Sequence, residues 1–433
     1  MKVYLSSIGC RLNQSEIETI GRQLLSQGHE IVTDPDQADN VIINTCAVTN
    51  KATRDARTQT RRIQRQNSDA TIFLTGCYAT IAPAELEALQ GKTRMVANKD
   101  KDRLVQIMDP RANDSALIFD QEPILREFLN GHLGNTRAFV KAQDGCDNKC
   151  TFCITTAARG QGRSRHLGDV VAEIQALASA GYQEVVLTGV HLGSYGKDLD
   201  GRTSLKDLIE AILNHSDIAR LRVSSLEPWD MDLDFFSLWQ DQRLLPHLHM
   251  PLQSGSDSVL RRMARRTTRE SYRQLARAAR AAIPGLSLST DIILGFPGES
   301  EQDFIQSMDF VREINFSRLH AFTYSARPGT AAARMSDQIA KEVKKNRTRR
   351  MIELGKTLSL AFHKHNEGKI RSVLWESTIG SDKNGLRWTG YTDNYIRVLA
   401  NGPVDLFNKI TPARLLEAQA DNISGVLTSP YGE

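Results

Sequence analysis

Cys146, Cys150 and Cys153 stand in a Cys-x3-Cys-x2-Cys run, followed by Arg159-Gly160-Gln161-Gly162-Arg163-Ser164-Arg165. Three thiolates within eight residues can converge on one soft metal centre. An odd set cannot close entirely into disulfides. Soft thiolates select zinc, copper(I) or an iron–sulfur cluster. A closed zinc site wants a fourth nitrogen or sulfur ligand, and no further Cys or His lies between Cys153 and His166. A cubane held by three Cys leaves its fourth iron open to a substrate. The spacing therefore favours iron–sulfur and keeps a small zinc knuckle as the alternative.

The other three Cys each follow an apolar run. Val3-Tyr4-Leu5 leads to Cys10, Val41-Ile42-Ile43-Asn44-Thr45 to Cys46, and Thr71-Ile72-Phe73-Leu74-Thr75-Gly76 to Cys77. Each run reads as a buried strand. Helical patterns over Ser15–Gln27, Ala47–Gln66 and Ala82–Leu89 follow them, so the sheet is expected to be parallel. All three Cys then lie at the carboxyl ends of strands, the edge where open α/β sheets bind ligands. Any one of them could be a small buried residue at a strand end. Three at equivalent positions favour a second metal centre.

Six more strand candidates alternate with helical patterns: Ala138–Ala142, Glu184–Leu187, Arg220–Val223, His247–Met250, Leu288–Leu294 and Arg318–Phe322. The helices between them are expected over Asp169–Ala180, Ser204–Asn214, Asp232–Asp241, one long stretch Asp257–Ala282, and Glu299–Ile314. Six units suit a partial β/α barrel, whose chemistry sits at the carboxyl ends of its strands. Polar loops, glycine-bearing in all but Ser224–Pro228, follow those strands: the Cys loop, Thr188–Gly196, Ser224–Pro228, Pro251–Ser256, Gly295–Glu299 and Tyr324–Thr330.

The Cys146–Cys153 loop resembles the cluster loop of radical S-adenosylmethionine enzymes. The segments Gly9-Cys10-Arg11-Leu12-Asn13-Gln14, Asn44-Thr45-Cys46-Ala47-Val48 and Gly76-Cys77-Tyr78-Ala79 resemble the N-terminal domain of their methylthiotransferase branch. This resemblance implies two [4Fe-4S] clusters. At the one held by Cys146, Cys150 and Cys153, an open iron binds S-adenosylmethionine and an electron cleaves it to methionine and a 5′-deoxyadenosyl radical. The one held by Cys10, Cys46 and Cys77 handles sulfur. Thr188 and Gly189 are implied to meet the methionyl end of S-adenosylmethionine, although the wider superfamily often has Gly-Gly-Glu there. Ser225, Glu227 and Gln253 are implied to hydrogen-bond cofactor or substrate. Thr155-Thr156-Ala157 departs from the Ile-Pro often found after the third Cys.

The expected fold class is α/β. An N-terminal parallel-sheet domain spans residues 1–110 and a linker 111–131. A central partial (β/α)6 barrel of radical SAM type spans 132–368, and a C-terminal small β-barrel (TRAM-like) 369–433. Short strands over Val373–Ile379, Leu386–Tyr391, Tyr395–Leu399 and Leu406–Ile410 suggest that last barrel. Lys341–Arg371 reads as a basic helix, with ten Lys and Arg against three Glu, and Asp257–Ala282 carries eight arginines. Such runs are usually solvated faces. Beside a small barrel they could also track a phosphate backbone.

An unactivated aromatic C–H bond offers neither a leaving group nor useful acidity, so sulfur insertion there needs radical chemistry from a cofactor. The resemblance implies a tRNA methylthiotransferase acting at C2 of a modified adenosine beside the anticodon. A base splayed from the anticodon stem-loop can reach a buried site. Cys153-Ile154, Ala158-Arg159-Gly160, Arg163-Ser164-Arg165 and Tyr324–Thr330 resemble most the enzymes acting on N6-threonylcarbamoyladenosine at position 37. N6-isopentenyladenosine and a ribosomal-protein aspartate are the alternative substrates, and the basic C-terminal half argues mildly against the aspartate. A non-catalytic iron–sulfur or zinc RNA-binding protein is the alternative of another class. Implied partners are an electron donor such as flavodoxin or ferredoxin and a sulfur source. No apolar run is long enough for a membrane span, the N-terminal apolar part is too short for a signal peptide, and cysteine usage suits a reducing cytoplasm. The net charge of +4 is compatible with a nucleic-acid partner without demanding one.

Overall fold

Val41, Ile42 and Ile43 have no solvent exposure, as expected for a strand covered on both faces in a parallel sheet. The computed structural model describes residues 1–89, 91–112, 136–201, 203–382, 385–403 and 405–428. The chain divides into two compact units. The first comprises Met1–Asn148, Cys153–Gly181 and Leu187–Asp217, and the second Lys149–Phe152, Tyr182–Val186 and Ile218–Glu433.

The first unit opens with β1 (Lys2–Ser7), β2 (Glu30–Val32), β3 (Asn40–Thr45), β4 (Thr71–Gly76) and β5 (Thr93–Met95), all parallel in the order β2-β1-β3-β4-β5. The short edge strands β2 and β5 were not expected from the sequence. The helices are α1 (Arg11–Ser26), α2 (Asn50–Gln66), α3 (Cys77–Ile81), α4 (Pro83–Glu87) and α5 (Leu104–Met108). Helix α2 buries Thr53, Ala56, Thr60 and Ile63, a stripe at three- and four-residue spacing. Its start is fixed by Thr49, whose side chain accepts from Ala52 N. Then follow β6 (Arg137–Asp144), α6 (Thr155–Arg159), β7 (Arg163–Ser164), α7 (Leu167–Ser179), the end of β8 (Glu184–Gly189) and α8 (Leu205–His215). The expected linker 111–131 falls almost entirely outside the described residues.

The second unit contains β9 (Arg220–Val223), β10 (His247–His249), β11 (Ser287–Leu294) and β12 (Arg318–Thr323). One sheet runs β7-β6-β8-β9 and another β10-β11-β12. Isolated parallel bridges Leu221↔Leu244 and Ser225↔His249 connect β9 with the β10 segment. The helices are α9 (Asp257–Arg262), α10 (Arg269–Ala282), α11 (Glu301–Ile314) and α12 (Lys341–Asn366). Capping boxes at Thr268 and Ser300 fix where α10 and α11 begin.

The unit ends in a closed barrel of β13 (Ile370–Asp382), β14 (Gly385–Thr392), β15 (Arg397–Gly402), β16 (Ile410–Ala418) and β17 (Ile423–Leu427), ordered β13-β14-β15-β17-β16. Closure leaves no free sheet edge. Trp375 and Trp388 fill the interior, and their indole N–H groups donate to Thr411 Oγ1 and Pro403 O at 2.8 and 3.0 Å.

Four expectations need correction. Asp257–Ala282 is two helices, because Ala264 takes a φ of +55° and turns the chain between them. Asp232–Asp241 contains a 3-10 helix, Asp234–Gln240, which buries Phe235, Phe236, Leu238 and Trp239 with no single apolar stripe. The basic helix stops at Asn366, and Arg371 lies in β13 paired with Asp393. Most of Leu406–Ile410 is a turn rather than a strand, since Asn408 has a φ of +58° and Lys409 N bonds back to Leu406 O, and only Ile410 is extended, opening β16. Strands β16 and β17 take the expected strand's place in the barrel. Among the described residues no helix is long and apolar enough to cross a membrane.

Candidate radical and sulfur-handling centres

Strands β1, β3 and β4 are neighbours at the middle of the first sheet, and a Cys follows each. Cys10 is the N-cap residue of α1, Cys46 comes directly after β3, and Cys77 is the first residue of α3. Cys46 and Cys77 are buried, while Cys10 keeps surface exposed. Two glycines show how tightly the chain turns into its Cys residues. Gly76 has a φ of +97°, and a Cβ there would lie 2.2 Å from Thr45 O. Gly145, before Cys146, has a φ of +72°, and a Cβ there would lie 1.8 Å from Gln161 O. Only glycine fits at such points.

A buried polar network backs the N-terminal thiols. The Cys10 Sγ lies 3.2 Å from Asn13 Oδ1. Asn13 Nδ2 donates to Ile8 O and Thr45 O, joining the ends of β1 and β3. Arg159 Nη1 lies 2.8 Å from Glu16 Oε1 and 3.0 Å from Asp144 Oδ1. Lys101 Nζ reaches Glu16 Oε2 at 2.6 Å. Burial alone would raise the Glu16 carboxyl, but Arg159, Lys101 and Lys141 hold it well below the carboxylate range.

Burial pushes the Cys46 thiol up to about 12, with the charges of Cys10 and Cys77 adding to the shift and Arg159 opposing it. Cys10 and Cys46 both lie within electrostatic reach of Cys77 and Arg159. The three thiols are not drawn together to within 4.8 Å of one another; among the described residues that spacing is met by His249, Asp291 and His320. Tetrahedral zinc at a Zn–S distance of about 2.3 Å needs its sulfurs nearer than that. Three thiols at wider spacing fit a multi-iron cluster, which Cys10, Cys46 and Cys77 would hold through their sulfurs.

The second set lies on the loop after β6. In the first unit, Gln143 is fully buried, and its Nε2 donates to Asp144 O and Gly145 O, both at 2.9 Å. Its Oε1 accepts from His191 N at 2.8 Å. Cys146 N donates to Gly160 O, and Thr156 Oγ1 to Cys146 O. In the second unit, Thr151 N and Oγ1 donate to Met263 O and Arg262 O. Arg265 Nη1 lies 3.9 Å from Cys150 Sγ. The same guanidinium pairs with both Glu227 oxygens at 3.0 and 2.5 Å and stacks 4.3 Å from the centre of the Trp229 ring.

The other expected site residues are placed as follows. Thr188 is buried in β8, and Gly189 ends that strand against Gln143. Ser225 is exposed just past β9. Glu227 is taken up by Arg265. Gln253 has a φ of +70° and bridges to Ile292 beside β11. Sequence reasoning assigned no role to Asn13, Glu16, Asn44, Lys101, Gln143 or Arg265. Asn44, a buried amide inside an apolar strand run, was the visible signal.

Residues 2–98 match the Uncharacterized protein family UPF0004, and residues 140–311 the Radical SAM superfamily. Over 423 residues the chain is 36% identical to the Threonylcarbamoyladenosine tRNA methylthiotransferase MtaB of Bacillus subtilis (strain 168), covering 96% of this chain and 94% of that one. The chain belongs to the radical S-adenosylmethionine methylthiotransferase family. It is also 34% identical, over 98% of both chains, to the tRNA-2-methylthio-N(6)-dimethylallyladenosine synthase of Carboxydothermus hydrogenoformans. In fold it is similar to the radical S-adenosylmethionine methyltransferase TsrM from Kitasatospora setae, solved with cobalamin and a [4Fe-4S] cluster. The TM-score is 0.56 at 16% identity, over 77% of each chain. Family membership implies S-adenosylmethionine and a [4Fe-4S] cluster.

Proposed function

We propose that this chain is a tRNA methylthiotransferase that places a methylthio group on C2 of N6-threonylcarbamoyladenosine at position 37. The observation that carries this is the pair of three-Cys sets, one across β1, β3 and β4 and one on the loop after β6. Cys146, Cys150 and Cys153 hold one [4Fe-4S] cluster, and Cys10, Cys46 and Cys77 a second. When bound, the two clusters supply the electron that cleaves S-adenosylmethionine and a place for the sulfur to be inserted. Gln143 and His191 fix the entry of the first loop. Arg265 sets a buried positive charge beside Cys150, and Arg159 does the same for the N-terminal thiols. Thr188, Gly189, Ser225 and Gln253 are proposed cofactor or substrate contacts.

Two relatives bearing the threonylcarbamoyladenosine name, at 36% and 34% identity, support the substrate; one of the isopentenyl-type enzymes stands at 34%. Exposed Lys341, Lys345, Arg349, Lys356 and Lys364 on α12 suit a phosphate backbone. The reaction also needs an electron donor, such as flavodoxin or ferredoxin, and a source of sulfur. The proposed boundaries are 1–110, 132–368 and 369–433, with 111–131 as linker.

Mass spectrometry of nucleosides from bulk tRNA, with and without the gene, tests the reading. The expected result is loss of the methylthio-threonylcarbamoyl nucleoside with its precursor accumulating. Loss of the isopentenyl counterpart moves the substrate, and no change in any tRNA nucleoside overturns the tRNA reading.

A further inference from the structure

Strands β10, β11 and β12 carry a polar set that the proposed chemistry leaves unused. His249 ends β10, and Asp291 of β11 is the register partner of His320 in β12. His249 Nε2 lies 3.4 Å from Asp291 Oδ2, and its Nδ1 lies 3.0 Å from Ser289 Oγ. The His249 and His320 ring centres are 5.9 Å apart. All three residues are partly buried.

The set is close to the residues around Cys150. Gln253 N donates to Asp291 O, and Ile293 N to Gln253 O. Burial would raise the Asp291 carboxyl, but His249, His320 and Arg265 together hold it below its ordinary value. Arg265 is the residue that reaches Cys150. The cavity of about 440 Å³ that His320 borders lies at the other end of these strands, among their first residues His247, Ser287 and Arg318.

The two adenosines that the relatives' names leave open differ in one arm. An isopentenyl arm is hydrocarbon. A threonylcarbamoyl arm carries a carboxylate, a hydroxyl and amide groups. Hydrocarbon against His320 and Asp291 strips their water and returns no hydrogen bond. A site built from polar groups rejects the ligand that lacks their partners far more steeply than an apolar pocket rejects an extra polar group.

We propose that His249, Asp291 and His320 receive the carboxylate-bearing arm on N6 of the target adenosine and so select the substrate. Asp291 accepts from the hydroxyl or amide groups of the arm, while His320 donates to its carboxylate. The inference rests on the adenosine methylthiotransferase reading and narrows it.

The test uses full-length, cluster-reconstituted protein and anticodon stem-loop RNAs that differ only at position 37: threonylcarbamoyladenosine, isopentenyladenosine or adenosine. Wild type, His320→Phe and Asp291→Leu are compared for methylthio product, with kcat and KM resolved. Iron content and absorption spectrum equal to wild type show that both variants are folded. Both variants are expected to raise KM for the threonylcarbamoyl RNA, His320→Phe by about tenfold or more, while the ratio of threonylcarbamoyl to isopentenyl turnover falls. If wild type uses the threonylcarbamoyl RNA and both variants match it within twofold, the inference fails alone. If wild type uses only the isopentenyl RNA, the substrate reading fails and takes the inference with it. Stoichiometric zinc or manganese on wild type, lost from His320→Phe, would overturn the inference in favour of a metal site formed by His249, Asp291 and His320.

Discussion

The two cysteine sets are built in opposite ways. Cys146, Cys150 and Cys153 stand within eight residues on one short loop, whereas Cys10, Cys46 and Cys77 depend on three strands lying side by side. Each set has one buried arginine. Arg159 is tied to two carboxylates, Glu16 and Asp144, inside a network that includes Lys101. Arg265 has one carboxylate partner, Glu227, whose side chain is 21% exposed and so can partly rehydrate. A site made by local sequence needs little support. A site made by tertiary structure is only as stable as the polar network beneath it.

The sharpest test of this contrast is loss of a single thiol. Cys150→Ala is expected to abolish both 5′-deoxyadenosine and methylthio product, measured by liquid chromatography and mass spectrometry. Cys46→Ala is expected to abolish the methylthio product while 5′-deoxyadenosine still forms. Equal loss of 5′-deoxyadenosine in both variants would erase the distinction between the sets.

Removing the arginines should separate the sets by stability. Arg159→Met takes the shared cation from two buried carboxylates, leaving Glu16 with Lys101 alone, and should cost about 3–5 kcal/mol in denaturant unfolding, the range for breaking a buried ion pair. Arg265→Met should cost less, because only Glu227 is left. Equal losses would contradict the contrast. Arg265→Gln should also shift the potential of the cluster proposed at Cys150 to more negative values, since a nearby cation favours the reduced form. An unchanged potential in electron paramagnetic resonance titration would place Arg265 too far away to act.

A smaller effect concerns acid. The Glu16 carboxyl is depressed in the folded chain relative to about 4.3 when unfolded. Its contribution is present above the unfolded value and is lost as pH falls towards the folded one. Stability should therefore decline below about pH 4, and Glu16→Gln, already destabilised at neutral pH, should show a flatter decline. The same slope in both proteins would remove Glu16 from the account.

Strands were legible where runs were apolar on both faces, as in β3 and β4. The break at Ala264 was not, because alanine is a good helix former and nothing local marks its positive φ. The strand expected at Leu406–Ile410 failed because Asn408 ends the extension. Strand β16 was passed over although Thr411, Ala413 and Leu415 alternate inward, since its small residues give a weak apolar signal. The six Cys were legible by type and position. Glu16 and Lys101 were not, because charged residues on a helical pattern are read as solvent-facing, and only the folded network shows that they are paired inside.

Iron analysis and product analysis of one protein, with Cys10, Cys46 and Cys77 all replaced by Ala, test the central claim of two centres with separate tasks. The predicted result is about half the wild-type iron, continued 5′-deoxyadenosine formation and no methylthio nucleoside. Full iron content, or methylthio product still formed, would contradict it.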